Sequence, residues 1–201
     1  MNIPHFKSLH AKQPGTISLD KVVDLIKNDT GIKGQTLKAR KCYGKGEKLQ
    51  GDYVKKNLLP AFAPCAILDG GKSKDHIIDL TGICFLDIDH ITGEEAKYAL
   101  EMLASDPHIL LACISVSGKG IHLLVRYTVD FGAGNLVFIS TPARLRKLYR
   151  KVFLTLAAAY TEKLGIQVDM SGTNADRLCL ISHDPSIYYN PDCIPLEVKM
   201  T

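Results

Sequence analysis

A chain of 201 residues with 46% hydrophobic residues and a formal net charge of +4 has the size and composition of one ordinary globular domain. No segment approaches the roughly 20 consecutive apolar residues of a membrane-spanning helix, and the first residues lack the apolar run of a secretory signal. The six cysteines include no C-x-x-C pair, which argues against a zinc ribbon. We therefore expect a cytoplasmic protein with reduced cysteines and no membrane partner.

Cationic residues are concentrated in two segments that are candidates for contact with nucleic acid. In the first, the candidate residues are Lys38, Arg40, Lys41, Lys55 and Lys56, with Tyr43 and Tyr53 among them. In the second, they are Arg144, Arg146 and Lys147. Such clusters neutralise phosphates, although a solvated surface is the default interpretation of either cluster alone.

The first eighty residues predict a mixed α/β segment. A capped amphipathic helix begins at Ser18. Residues 33–59 are basic and mixed in character, with helix predicted near Tyr53. Residues 61–68 predict a strand, and a glycine-bearing turn leads from it to a return strand at residues 76–78.

The remaining sequence gives a sharper pattern. The predicted elements are a strand at 82–88, a helix at 92–104, strands at 109–116 and 121–127, a helix at 142–164 and a strand at 177–182. This β-α-β-β-α-β order predicts an α+β fold with an RRM-like or ferredoxin-like core over residues 82–183. We expect a single domain over residues 1–201, with an N-terminal α/β extension (1–80) on the same sheet and a catalytic-type core (81–190). We also expect the chain to be the N-terminal part of a longer protein.

Right-handed crossovers place the first and third strands of such a core side by side, with the fourth strand beside the first. Asp87 and Asp89 lie on the first strand, His122 lies on the third, and Asp169 lies just before the fourth. The topology therefore predicts that these four residues converge on one face of the sheet.

Asp87 and Asp89 end the apolar strand that begins at Ile83. Their side chains point to the same face, and their Cα atoms are about 6–7 Å apart at a rise of roughly 3.3 Å per residue. Like charges this close beside a buried strand repel each other, and a divalent cation such as Mg²⁺ or Mn²⁺ relieves the repulsion. An acidic strand end that caps the next helix is an equally good interpretation of this motif alone.

Ser117, Lys119 and His122 belong to a glycine-bearing segment that joins two predicted strands. Glycines let backbone N–H groups approach an anion closely, and the three side chains add donors. Together they suit the phosphates of a nucleoside triphosphate. An ordinary β-hairpin with a satisfied histidine is the better interpretation of this segment when it is considered alone.

Asp169 and Arg177 follow the last predicted helix. Asp169 could complete a two-metal site or support one from outside, and a turn aspartate between helix and strand is an equally good interpretation. Arg177 opens a buried strand, where pairing with a carboxylate of the protein is as good an interpretation as contact with a phosphate.

The set of motifs resembles the archaeo-eukaryotic primase (primase-polymerase) superfamily. The resemblance rests on Asp87-Ile88-Asp89 after an apolar strand, on the segment from Ser117 to His122, and on the later Asp169. The sequence is most similar to the primase-like domains called VirE N-terminal-type, found in bacterial mobile elements. That likeness adds Leu59-Pro60, Leu80-Thr81-Gly82, and Arg177 followed by Ser182-His183-Asp184-Pro185. It covers about residues 36 to 190.

The resemblance implies a nucleotidyltransferase that acts in replication of DNA or of a mobile element. Asp87, Asp89 and Asp169 would be catalytic and would bind Mg²⁺ or Mn²⁺, with two cations about 3.5–4 Å apart. Ser117, Lys119, His122 and Arg177 would bind the incoming nucleotide. Its partners would be single-stranded DNA or a primer-template, nucleoside triphosphates, and a helicase domain or protein. The departure is in the second motif, where the family's tightest form has one residue between Ser and His and this chain has a longer, glycine-rich turn.

Two other functions fit part of the sequence. A primase-like fold can serve as a nucleic-acid-binding module with weak or no catalysis, in which the cationic segments carry the function. Phosphatases of the haloacid dehalogenase type also place D-x-D after an apolar strand. Against the phosphatase, Ile91 occupies the position of the expected Thr or Val, and a hairpin follows where that fold requires a parallel strand and a helix.

Overall fold

A computed structural model of the chain describes residues 1–132 and 141–200. The α-helices of these residues are α1 (Leu19–Asn28), α2 (Thr30–Gly44), α3 (Lys48–Asn57), α4 (Gly93–Ala104) and α5 (Pro142–Leu164). The strands are β1 (Asn2–Phe6), β2 (Gly15–Ser18), β3 (Ala61–Phe62), β4 (Ala66–Leu68), β5 (Ile77–Leu80), β6 (Ile83–Asp89), β7 (Ile109–Ile114), β8 (Gly120–Asp130), β9 (Cys179–Leu180), β10 (Tyr188–Tyr189) and β11 (Leu196–Lys199).

The central sheet is built around β8. β6 pairs antiparallel with β8, from Ile83 opposite Arg126 to Asp89 opposite Gly120. β7 also pairs antiparallel with β8, so the strand order is β6-β8-β7. β10 adds to β7, and β11 runs parallel to the last residues of β8. The α+β class and its ferredoxin-like elements are thereby confirmed, and the first and third strands of the predicted core are neighbours.

The fourth strand of the predicted core lies elsewhere. Only Cys179 and Leu180 of the predicted strand at 177–182 form a ladder, and they pair with β3 rather than with β6. β3 belongs to a separate sheet of order β2-β1-β3-β9, so the prediction that the N-terminal extension shares the central sheet is wrong. The physical reason is local: β3 and β4 are interrupted at Pro64, and each short piece finds a different partner.

Local signals account for the helices that the sequence predicted. The Ser18 hydroxyl accepts from the Lys21 N–H and begins α1. Thr92 and Glu95 form a capping box at the start of α4. α5 begins after Thr141 and ends at Gly165, which has the left-handed conformation that glycine tolerates.

α2 was not predicted. Its buried residues are Ile32, Thr36, Ala39 and Cys42, which have helical spacing but include few large apolar side chains. The amphipathic signal was therefore weak within a basic segment.

The core fixes which face of the central sheet is free for a site. Alternate residues of β6 point to opposite faces. The Cys84 thiol lies 3.9 Å from the Tyr149 hydroxyl of α5, so α5 covers the face that carries Cys84, Leu86 and Ile88. Asp87 and Asp89 lie on the opposite face. No helix formed by residues 1–132 and 141–200 has the length and apolarity needed to cross a membrane.

Candidate metal and nucleotide site

Three carboxylates meet at the end of β6. Asp87 and Asp89 share a face of the strand, with the fully buried Ile88 between them on the other face. Asp169 follows α5 and is held against β6, because its N–H donates to the Asp87 carbonyl over 2.8 Å. One carboxylate oxygen from each residue lies within 4.8 Å of the other two. The structure thus brings together the three acids that the topology predicted to converge.

The donor set fits a hard divalent cation. The Oδ1 atom of Asp87 is buried and has no hydrogen-bond partner within the described residues. Burial, and next the negative charge of Asp87, raise the pKa of Asp89 above its ordinary value. An unpartnered buried oxygen among three carboxylates is costly without a cation, and an all-oxygen ligand set suits Mg²⁺ or Mn²⁺.

Arg177 supplies a positive charge within this cluster. Its Nη2 atom is 3.2 Å from Asp87 Oδ2 and 3.2 Å from Asp169 Oδ2, and its Nη1 donates to the Ser171 hydroxyl. Burial alone would raise the pKa of Asp169, but hydrogen bonds from Ser171 and the charge of Arg177 lower it overall. Of the two interpretations of Arg177, the structure therefore supports pairing with carboxylates of the protein.

His122 lies beside Asp87 on the neighbouring strand. The two residues are opposite each other in the ladder, and His122 Nε2 is 3.9 Å from Asp87 Oδ1. Its Nδ1 is 3.5 Å from the Cys179 thiol, and its ring packs edge-on against Phe85. Burial lowers the pKa of His122, so the neutral ring is favoured. Cys179 was not predicted at the site, because its contact arises from the packing of β9.

The turn between β7 and β8 is pressed against the end of β6. A side chain at Gly120 would place its Cβ 2.5 Å from the Ile88 carbonyl oxygen and 3.1 Å from Asp89 Oδ1. Gly118 has a φ of 74°, a conformation that favours glycine. The turn carries Ser117 and Lys119, and the Lys119 N–H donates to the Ser117 hydroxyl. Glycine at these positions thus lets the turn approach the acids closely.

Two clefts open on either side of Asp89. The first, of about 400 Å³, is lined by Asp89 and His90, by Ser117 and Lys119 of the turn, and by Tyr43, Gly46, Lys48, Asp52 and Lys55 of the α2–α3 region. The second, of about 450 Å³, is lined by Asp89, His90, Gln167 and Asp169. Asp89 is therefore accessible from both sides.

Several residues that line the clefts were not among the predicted site residues. They are Lys48, His90 and Gln167. Lys48 had a usable signal, because it is seven residues from the predicted Lys55 and lies on the same helical face. His90 and Gln167 had none, since loop geometry brings them to the site.

The other predicted nucleic-acid residues have different positions. Arg40 donates from Nη2 to the carbonyls of Ser115 and His183, so it ties α2 to the core, which argues against the predicted phosphate contact. Arg146 pairs with Asp75 at 3.0 Å. Arg144 and Lys147 lie with Arg146 at the start of α5, and none of the three lines either cleft. Lys38, Lys41 and Lys56 are exposed on α2 and α3.

The strand arrangement bears on the phosphatase alternative. β6, which carries both aspartates, pairs antiparallel with β8. A haloacid dehalogenase site requires a parallel strand and helix to follow the D-x-D strand. α4 and β7 do follow β6, and the glycine-rich hairpin comes only after β7. What argues against the phosphatase is that the strand paired with β6 is the antiparallel β8.

Comparison with known proteins gives one relationship. A family model described as BT4734-like, N-terminal domain, matches residues 53–189, which is more than half of the chain and includes all three acids and Arg177. No curated protein and no solved structure matches the chain significantly. The chain therefore belongs to the BT4734-like, N-terminal domain family.

Proposed function

We propose that this protein is a primase-polymerase-like nucleotidyltransferase that adds a nucleotide to a 3′-hydroxyl on a primed single strand during replication of DNA or of a mobile element. The observation that carries the proposal is the cluster of Asp87, Asp89 and Asp169 within 4.8 Å, with one buried, unpartnered carboxylate oxygen. Such a cluster, beside a cleft lined by several lysine side chains, is suited to phosphoryl transfer assisted by divalent metals.

The acids would hold Mg²⁺ or Mn²⁺, which when bound supplies the positive charge that stabilises the attacking and leaving oxygens. The first cleft is suited to the triphosphate, because Lys48, Lys55 and Lys119 line it beside Asp89. Ser117 and the backbone of the glycine turn add neutral donors. The second cleft, which also reaches Asp89, leaves room for the primer end.

His122 and Arg177 would act from positions next to the acids. A neutral His122, 3.9 Å from Asp87, orients or donates to a phosphate without adding a fixed charge. Arg177 contacts Asp87 and Asp169, so we assign it first as their counter-ion and only second as a nucleotide ligand. The proposed partners of the protein are nucleoside triphosphates, a nucleic-acid strand and a helicase, and its proposed location is the cytoplasm.

A second candidate function is a nucleic-acid-binding module with weak or no catalysis. One observation favours it: Arg177 already neutralises two of the three acids, so part of the electrostatic need for a metal is met by the chain itself. The turn between Ser117 and His122, which is longer than in the family's tightest form, also favours weak or no catalysis.

Nucleotide incorporation on a primed single-stranded template, with Mg²⁺ or Mn²⁺, tests the proposal. The wild type should extend the primer, and the double variant Asp87→Asn/Asp89→Asn should not. The exposed Asp192→Asn serves as a control for loss of a carboxylate and should extend normally. If neither the wild type nor the control extends the primer while template binding is retained, the binding-module function replaces the enzymatic one.

A further inference from the structure

α2 and α3 form a closely packed helical hairpin. A side chain at Gly51 would place its Cβ 2.7 Å from the Tyr43 ring, so glycine is needed where the helices touch. The Tyr43 hydroxyl donates to Asp52 Oδ1 over 2.8 Å. These contacts fix the orientation of α3, and with it the face that α3 presents to solvent.

That outer face exposes large side chains that a folded domain usually covers. Leu49 is 87% exposed and Tyr53 is 60% exposed on successive turns of α3, and Leu37 of α2 is 51% exposed. A groove of about 220 Å³ runs beside them, lined by Lys38, Leu49, Gln50, Tyr53 and Val54, and we call it the hairpin groove. An aromatic and a leucine at the edge of a groove offer a flat apolar contact surface.

The hairpin also carries a strong positive charge. Its lysines are Lys33, Lys38, Lys41, Lys45, Lys48, Lys55 and Lys56, and its acids are Glu47 and Asp52. Asp52 already accepts from Tyr43 and lies 3.7 Å from Lys56. The whole chain has a net charge of only +4, so the excess of positive charge in this protein is concentrated in the hairpin.

The α3 residues of the hairpin groove adjoin those of the first cleft around the helix. Residues advance by about 100° per position on an α-helix, at 3.6 residues per turn. Lys48, Asp52 and Lys55 face the cleft. Lys56, Leu49 and Tyr53 follow on the adjoining side of the helix. A nucleic-acid strand that leaves the cleft can therefore pass Lys56 and reach the groove along α3.

We propose that the hairpin groove binds single-stranded nucleic acid, with a base stacked on Tyr53 and the backbone phosphates held by the surrounding lysines. The proposal rests on the proposed function and deepens it, because it names the surface that holds the template. Aromatic stacking combined with a positive groove is the general mode of single-strand binding. A protein partner fits less well, because lysine is depleted in protein interfaces and this groove is surrounded by it.

Fluorescence anisotropy with a labelled oligothymidylate, in EDTA and without nucleotide, tests the groove. Tyr53→Ala should weaken binding about tenfold, since one lost stacking contact has that order of effect. The slope of affinity against salt should stay unchanged, because no charge is lost. Lys38→Gln/Lys41→Gln should lower that slope by about 0.7 for each lost phosphate contact. Duplex DNA should bind the wild type more weakly, since its bases are not free to stack.

Tyr98→Ala is the matched control, because Tyr98 of α4 is 57% exposed and lies outside the hairpin. Lys97→Gln controls for the loss of a surface lysine. If Tyr53→Ala and Tyr98→Ala bind equally well, or if Tyr53→Ala only changes self-association in light scattering, the proposal is overturned. Repeating the comparison of Tyr53→Ala with Tyr98→Ala in the Asp87→Asn/Asp89→Asn background separates this result from catalysis, because the loss of binding caused by Tyr53→Ala should be the same there.

Discussion

The Arg177 guanidinium and the Asp87 carboxylate form an ion pair of 3.2 Å at the centre of the candidate site. The same nitrogen is 3.2 Å from Asp169, so one cation of the chain bridges two of the three candidate metal ligands. A divalent cation bound to these acids would repel the guanidinium and take over its contacts. Arg177 and the metal are therefore expected to compete for the same oxygens.

Replacement of Arg177 tests this competition. In EDTA, Arg177→Gln should lower the free energy of unfolding by about 1–2 kcal/mol, because Asp87 and Asp169 lose their partly buried counter-ion. In a Mn²⁺ titration, the variant should be half-saturated at a lower concentration than the wild type, by roughly tenfold if about 1.4 kcal/mol of competition is removed. Thermal unfolding measures both effects. Arg146→Gln, which breaks an exposed ion pair with Asp75, is the control. An unchanged Mn²⁺ midpoint for Arg177→Gln would show that the metal does not replace Arg177.

Replacement of Asp89 should distinguish the charge repulsion among the three carboxylates from their binding of a metal. Asp89→Asn removes a carboxylate whose pKa is raised by burial and by Asp87, so the metal-free variant should unfold about 1 °C higher than the wild type, a small effect because solvent screens this side chain. It should also lose most of the stabilisation by Mn²⁺. Asp192→Asn should change neither quantity. A lower unfolding temperature of Asp89→Asn in EDTA would mean that the carboxylate is stabilised by the protein alone.

The close contact at Gly120 predicts a coupling between the turn and the acids. Gly120→Ala forces a Cβ to within 2.5 Å of the Ile88 carbonyl oxygen, so the strand must shift, at a cost of about 1–3 kcal/mol. The shift should also weaken Mn²⁺-dependent stabilisation. Gly34→Ala is the matched control, because Gly34 lies within α2 and a Cβ there would meet no atom within 4 Å. This variant should raise the free energy of unfolding by about 0.4–1 kcal/mol. Equal unfolding temperatures for the two variants would contradict the prediction.

The contacts of Asp106, which lies outside the site, predict that the stability of the protein depends on pH. This buried carboxylate accepts from the Lys163 ammonium over 2.6 Å, from the Tyr160 hydroxyl over 3.0 Å and from the His108 N–H over 2.8 Å. Burial opposes ionisation, but these partners lower the pKa of Asp106 overall. Its contribution to stability is therefore full above the unfolded pKa of about 3.9 and is lost as the pH falls through the lower folded value.

Asp106→Asn should accordingly lower the free energy of unfolding by about 1–3 kcal/mol at pH 7, a range that allows for solvent screening of Lys163. The difference from the wild type should shrink as the pH falls below about 4. Urea unfolding at a series of pH values measures it. Asp192→Asn, at an exposed residue, controls for general loss of charge. A difference that stays constant down to pH 2 would show that the ionisation of Asp106 does not contribute.

Local sequence was sufficient for much of the fold. α1, α4 and α5 carry their own caps, and the long apolar runs of β6, β7 and β8 were recognised as strands. The Asp87–Asp89 pair and its shared face follow from the two-residue period of a strand. The approach of His122 followed from the expected topology, because β6 and β8 are neighbours. Asp169 reaches the acids by a different route, since β9 does not pair with β6 and the Asp169 N–H instead donates to the Asp87 carbonyl.

The tertiary structure alone decided the features that depend on contacts distant in sequence. β9 pairs with β3, so Cys179 reaches His122 from a strand of another sheet, and Arg177 reaches the acids from the segment just before that strand. No periodicity encodes that choice, since a two-residue strand carries too little local preference to select its partner. The orientation of the α2–α3 hairpin, which brings Lys48 and Lys55 to Asp89, likewise depends on the packing of Tyr43 over Gly51. The sequence by itself determined which residues are able to do chemistry, and long-range packing decided which of them meet.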